Sequence, residues 1–196
     1  MAKRSAKVLR RTKETDIRLE LVLDGTGKYK VNTGVGFFDH MMELFAKHGG
    51  FDLTLSCKGD LKVDSHHTVE DIGLCLGEAL LKALGDKRGI RRYGFFLLPM
   101  DEALAQAAVD LSGRPFFAFK GRLPASEIGG FPPELADDFF RAVSDSGKFN
   151  LHLELRSGRN SHHCLEALFK CFARALSAAC ERSGRDKGVP STKGIL

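Results

Sequence analysis

A chain of 196 residues, 43% hydrophobic and 28% charged, has the size and polarity of a soluble globular protein, and no apolar run reaches the ~20 residues of a membrane span. The net charge of +5 suits an anionic partner; without Trp or any run of five like charges, a small phosphorylated ligand is favoured over nucleic acid. The start "MAKRSAKVLRRTKETD" lacks the apolar stretch of a secretory signal, and five scattered cysteines without CxxC spacing (Cys57, Cys75, Cys164, Cys171, Cys180) read as reduced thiols of a cytoplasmic protein.

Residues 7–33 read as a hairpin: Ile17, Leu19, Leu21 and Leu23 alternate, and "DGTGKY" is turn chemistry. "GVGFFDHMMELFAKHGG" predicts a helix closed by Gly49 and Gly50, and "FDLTLSC" a strand. "HHTVEDIGLCLGEALLKALG" carries Val69, Ile72, Leu76, Leu80 and Ala83 on one helical face and ends at Gly85. "YGFFLLPM" reads as a strand, followed by a mixed stretch and a second strand in "GRPFFAFKG". "LPASEIGGFPPE" is a loop. "LADDFFRAVSDSGK" predicts a helix, "FNLHLELRS" an alternating strand and "SHHCLEALFKCFARALSAACERSG" a long helix before the tail "RDKGVPSTKGIL".

The order helix, glycine-containing turn, strand, turn, Ser-His-His, helix occurs twice, once before Gly85 and once after. Phe51 lies fifteen residues before His66, and Phe149 thirteen before His162. The chain therefore reads as a duplicated α/β unit, residues 1–90 and residues 91–196 with the tail, in one compact body. On a helix, Glu70 shares a face with either His66 or His67, whereas the two adjacent imidazoles diverge by about 100°. Each imidazole thus suits a different ion, and two such octets complete two sites, within a chain or between subunits. The repeat adds His40 and, near the equivalent position, Asp138. The ligand set becomes His40, His66, His67, Glu70, Asp138, His162, His163 and Glu166, all nitrogen or oxygen donors suited to Mn, Fe or Zn. Cys164 reads as packing among Leu165 and Leu168, His48 as a helix-end residue, and His152 as structural on its strand.

The motifs "GVGFFDHM", "DSHHTVEDIGLCLGEAL", "PMDEALA", "DLSGRP", "GRNSHHCLEALFKCFARAL" and "PSTKGIL" span nearly the whole chain. In them the sequence resembles the imidazoleglycerol-phosphate dehydratase family of histidine biosynthesis. The resemblance implies an α+β fold, two small sheets with packed helices like a duplicated domain 2 of ribosomal protein S5. It also implies two Mn(II) ions per active site and a homo-oligomer of 24 subunits with sites between them. The family often carries a histidine where this chain has Asp138, and aspartate is a hard oxygen donor that also binds Mn(II).

The implied reaction dehydrates D-erythro-imidazoleglycerol phosphate to imidazole-acetol phosphate through an imidazolate and a diazafulvene. Resemblance names Glu14 and Glu166 as proton carriers, and Arg92, Arg114, Lys170, Ser191 and Lys193 as phosphate-binding groups, with Glu14 also at the substrate. Arg91 reads as a solvent neighbour of Arg92. Asp101 and Glu102 are read either as orienting groups for imidazoles or as a solvated turn. Two other readings compete: a dinuclear hydrolase of phosphate esters or amides, and a metal-storing or RNA-binding shell protein.

Overall fold

The computed structural model describes residues 3–184, 188–194 and 196; residues 185–187 of the tail and Ile195 of its final motif lie outside the described residues. Two four-stranded sheets and four helices make up the architecture. In the first sheet, β1 (Ser5–Arg11) and β2 (Thr15–Val22) form an antiparallel hairpin, β4 (Asp52–Gly59) pairs antiparallel with β2, and β3 (Tyr29–Asn32) runs parallel to β4. The second sheet repeats that order with β5 (Tyr93–Met100), β6 (Ala103–Asp110), β8 (Asn150–Ser157) and β7 (Phe116–Lys120). Helices α1 (Gly36–Gly49) and α2 (His66–Leu84) lie on the first sheet; α3 (Leu135–Gly147) and α4 (Ser161–Cys180) lie on the second. The helix layers meet face to face, α2 against α3 and α1 against α4, so each helix pair joins the two halves.

The strand patterning explains this layering. Ile17, Leu19, Leu21, Leu53 and Leu55 in the first sheet, and Ala105, Ala107, Leu151 and Leu153 in the second, are buried while their neighbours face outward. Rings fill the space where α1, α3 and α4 meet: Phe38 stands edge-on to Phe139 at 5.3 Å, and Phe139 stacks on Phe169 at 5.2 Å.

Two local features differ from the sequence reading. The first hairpin turns at Thr12–Glu14, where Thr12 Oγ1 accepts the N–H of Glu14 (3.0 Å) and of Thr15 (2.9 Å). The "DGTGKY" turn instead leads into β3. The mixed stretch after β5 is the inner strand β6, whose inward residues are Ala103, Ala105, Ala107 and Val109, three of the four being alanine, a weak strand former. They leave room for α4: a Cβ on the neighbouring Gly94 would overlap Ala175 O of that helix.

The same economy operates between helices. A Cβ on Gly73 would lie 2.8 Å from Phe139 O, and one on Gly77 would lie 2.6 Å from Gly147 N and overlap Val143 O. Backbone therefore approaches backbone where α2 crosses α3. Gly77→Ala gains about 1 kcal/mol of helix propensity but forces the helices apart, an overpacking cost of roughly 1–3 kcal/mol. The variant is expected to unfold at lower urea concentration with an unchanged m-value.

Candidate active site

The first donor group lies between α1 and α4. Asp39 holds the start of α1 by accepting from Thr33 N (2.7 Å) and Thr33 Oγ1 (2.6 Å), and the left-handed Gly50 closes its end. His40 follows Asp39 and reaches α4, where His162 and Glu166 stand one turn apart. His162 Nε2 is 2.9 Å and His40 Nε2 3.6 Å from Glu166 Oε2, and one donor atom from each residue lies within 4.8 Å of the others. The other Glu166 oxygen is ion-paired with Lys170. Burial acts to raise the Glu166 pKa, but Lys170 and His162 outweigh it and hold the carboxyl below its usual range.

The second group is related by the repeat and lies between α2 and α3. His66 Nε2 faces Glu70 at 3.7 Å while its Nδ1 faces Asp138 at 3.6 Å. These two carboxylates flank opposite ring nitrogens instead of meeting on one side. Both groups carry only nitrogen and oxygen donors. Cys164, beside His163, is buried with its Sγ against Gly158, away from either group. Its thiol is pushed up by burial, as are Cys57 (to about 11) and Cys75, Cys171 and Cys180 (each to about 12).

His67 and His163 turn away from these groups toward the hairpin ends. Nδ1 of His67 meets Asp60 Oδ2 at 3.0 Å and its Nε2 faces Glu14 at 3.9 Å. Nδ1 of His163 meets Glu102 Oε2 at 2.8 Å and its Nε2 faces Asp101 at 3.6 Å. These hydrogen bonds raise both imidazoles above their ordinary pKa; His163 and the backbone N–H of Asn160 and Arg159 lower Glu102 to about 2.

An open cavity of about 730 Å³ gathers Arg92, Arg114, Ser191 and Lys193 with Tyr93, Pro190 and Thr192. Arg92 donates to Asp110 (2.7 Å) and to Pro190 O (2.9 Å), tying the tail to the sheet. Arg91 pairs with Glu181 on the exposed side. Lys170, grouped with the phosphate-binding residues in the sequence reading, is not among the residues lining this cavity and contacts Glu166 and Met100 Sδ instead. His48 packs at the end of α1, its pKa lowered by burial and then by nearby Lys170. His152 sits on β8 with its ring 5.4 Å from Phe116.

The sequence reading did not single out Asp71 and Asp60. Asp71 is buried on α2 and clamps the first hairpin, accepting from Thr15 Oγ1 (2.5 Å) and pairing with Arg10 (2.8 Å). A carboxylate one position beyond Glu70, with the neighbouring Ile72 buried, was the available signal.

Paired imidazoles and carboxylates at the start of α4, and a cationic cavity at its far end where Arg92 N meets Ala179 O, on a duplicated α+β scaffold, are the equipment of an enzyme acting on a small anionic molecule. The family model of imidazoleglycerol-phosphate dehydratase matches residues 33–176. Two dehydratases of that description, from Geobacillus sp. (strain WCH70) and Lachnoclostridium phytofermentans, are 54% and 56% identical over 193 residues. Each alignment covers 98% of this chain, and 99% and 98% of those relatives respectively. The crystal structure of the Staphylococcus aureus subsp. aureus N315 dehydratase aligns with a TM-score of 0.83 at 38% identity, covering 91% of this chain and 99% of that one. That of the Pyrococcus furiosus enzyme, in complex with (S)-C348, gives 0.83 at 36% identity over 96% and 100%. The chain belongs to the imidazoleglycerol-phosphate dehydratase family, hydro-lyases of histidine biosynthesis.

Asp71→Asn removes the charge from a buried acceptor of two bonds and is expected to lower stability by roughly 1–3 kcal/mol. Asp137→Asn, at the exposed pair with Arg141, should change it by less than about 0.5 kcal/mol. Urea melts of the two variants make the comparison.

Proposed function

We propose that this chain dehydrates D-erythro-imidazoleglycerol phosphate to imidazole-acetol phosphate in the cytoplasm, with two Mn(II) ions per active site and as a homo-oligomer of 24 subunits. The observation that carries the reading is the convergence of His40, His162 and Glu166, with the repeat-related His66, Glu70 and Asp138 opposite. Hard oxygen and imidazole donors without thiolate suit Mn(II). When bound, such ions act as Lewis acids that hold and polarise an imidazole ring and a hydroxyl.

The chain's own residues supply the rest. Lys170 keeps Glu166 ionised, in the state required of a ligand or proton acceptor. Glu14, half-exposed on a hairpin turn clamped by Asp71, has room to carry a proton between substrate and solvent. Arg92, Arg114, Ser191 and Lys193 offer cationic and hydroxyl groups to a phosphate, with Asp110 fixing the Arg92 guanidinium.

Two features support assembly. Each group has three donors from the chain, while His67 and His163 present Nε2 away from it; subunits that share sites remove both deficits. Tyr93, Phe95 and Leu97 expose an apolar strip along the edge strand β5, a surface suited to a second copy.

Incubating the Mn(II)-loaded protein with imidazoleglycerol phosphate is expected to give absorbance from the enolised product and no free phosphate; phosphate release would mark a hydrolase and sink the reading. Glu166→Gln should lower kcat by about 10²–10⁴-fold. Arg114→Ala should raise KM while leaving bound Mn(II) unchanged by elemental analysis.

A further inference from the structure

The duplication supplies an internal comparison that singles out Asp60. Gly59 and Gly158 occupy matching places: each ends its strand region and backs onto the residue after the histidine pair. A Cβ on Gly59 would land on Thr68 Oγ1, and one on Gly158 on Cys164 Sγ. The next residues, Asp60 and Arg159, therefore correspond. In the second half Arg159 N donates to Glu102 Oε1 at 3.1 Å, Asn160 N donates to the same oxygen at 2.8 Å, and Glu102 Oε2 takes His163 Nδ1. Glu102 reaches this spot from the two-residue turn between Met100 and Ala103. In the first half the corresponding turn carries Glu14, which faces the other nitrogen of its histidine. The carboxylate on Nδ1 comes instead from Asp60, at the end of β4.

The geometry points to Asp60 as the positioning residue of His67, matching Glu102 at His163 although the two arise from non-equivalent parts of the repeat. An ionised carboxylate on Nδ1 makes that nitrogen the donor and leaves the Nε2 lone pair free to ligate. Two sequence positions have met the same requirement, which a packing role would not demand. The halves also differ in support. Glu102 uses both oxygens, whereas Asp60 Oδ1 is buried with no hydrogen-bond partner among the described residues. The hold on His67 rests on one carboxylate oxygen and that on His163 on a braced carboxylate.

This inference rests on the metal-dependent reading above. Its test is Mn(II) titration of the full chain, following the electron paramagnetic resonance signal of free ion. The unmodified protein should bind two ions per subunit. In Asp60→Asn the amide can turn its NH2 to Nδ1 and move the ring proton to Nε2. One class of site should then weaken by about 10–100-fold while the other holds. Asp60→Glu, which keeps the charge, should recover part of the loss, and Glu102→Gln should weaken the other class. If Asp60→Asn does not fold, Asp60→Ser carries the same expectation. Unchanged affinity at both classes in a folded Asp60 variant overturns the assignment alone. An unmodified protein that binds no Mn(II) overturns the metal reading and this inference with it.

Discussion

Gly73 and Gly77 let α2 come down on α3 until backbone meets backbone, and the rest of the molecule is arranged around that approach. It fixes the distance from His66 to Asp138, which stand on opposite sides of the crossing. The companion crossing of α1 and α4 is fixed by aromatic packing, with Phe38, Phe139 and Phe169 locking three helices together. Helices hold side chains more rigidly than loops do, so the central donors gain their placement from the core itself. The polar groups at the hairpin ends need separate anchors. Asp71 supplies one through Arg10 and Thr15, and the tight turn at Asp101 and Glu102 supplies another.

The electrostatics divide along the same line. Glu166 is buried, which acts to raise its pKa, but Lys170 one turn away and His162 hold the carboxyl below its usual range. It is a prepaired anion with one oxygen toward two imidazoles. Asp60 and Glu102 sit nearer solvent and act through direct hydrogen bonds to histidine. Buried thiols complete the contrast: all five lie in apolar surroundings, where burial raises their pKa and leaves them inert.

Much of this was legible in the sequence because it is written in period. Alternation marked β2, β4 and β8, and three-to-four spacing marked α2 with Gly85 at its stop, whereas α4, read as running to Gly184, ends at Cys180 where Glu181 turns extended. The doubled Ser-His-His octet marked the repeat together with His66, Glu70, His162 and Glu166, which the fold brings into the two central groups. β6 was missed because three of its four inward residues are alanines, which carry little strand propensity. Asp60 and Asp71 were missed because their partners are far along the chain: His67 is seven residues on, and Thr15 is 56 residues back. The helical spacing of four between Glu166 and Lys170 indicated the ion pair that the fold forms between them.

Each donor group draws one helix from either side of the duplication: α1 with α4, and α2 with α3. A forerunner of half this length would own the wall of such a group but never its opposite wall. It would have had to pair with a copy of itself, and fusing the two genes would have made that pairing permanent. Once fused, the halves were free to diverge, and the different routes by which Asp60 and Glu102 arrive at their histidines are the trace of that freedom.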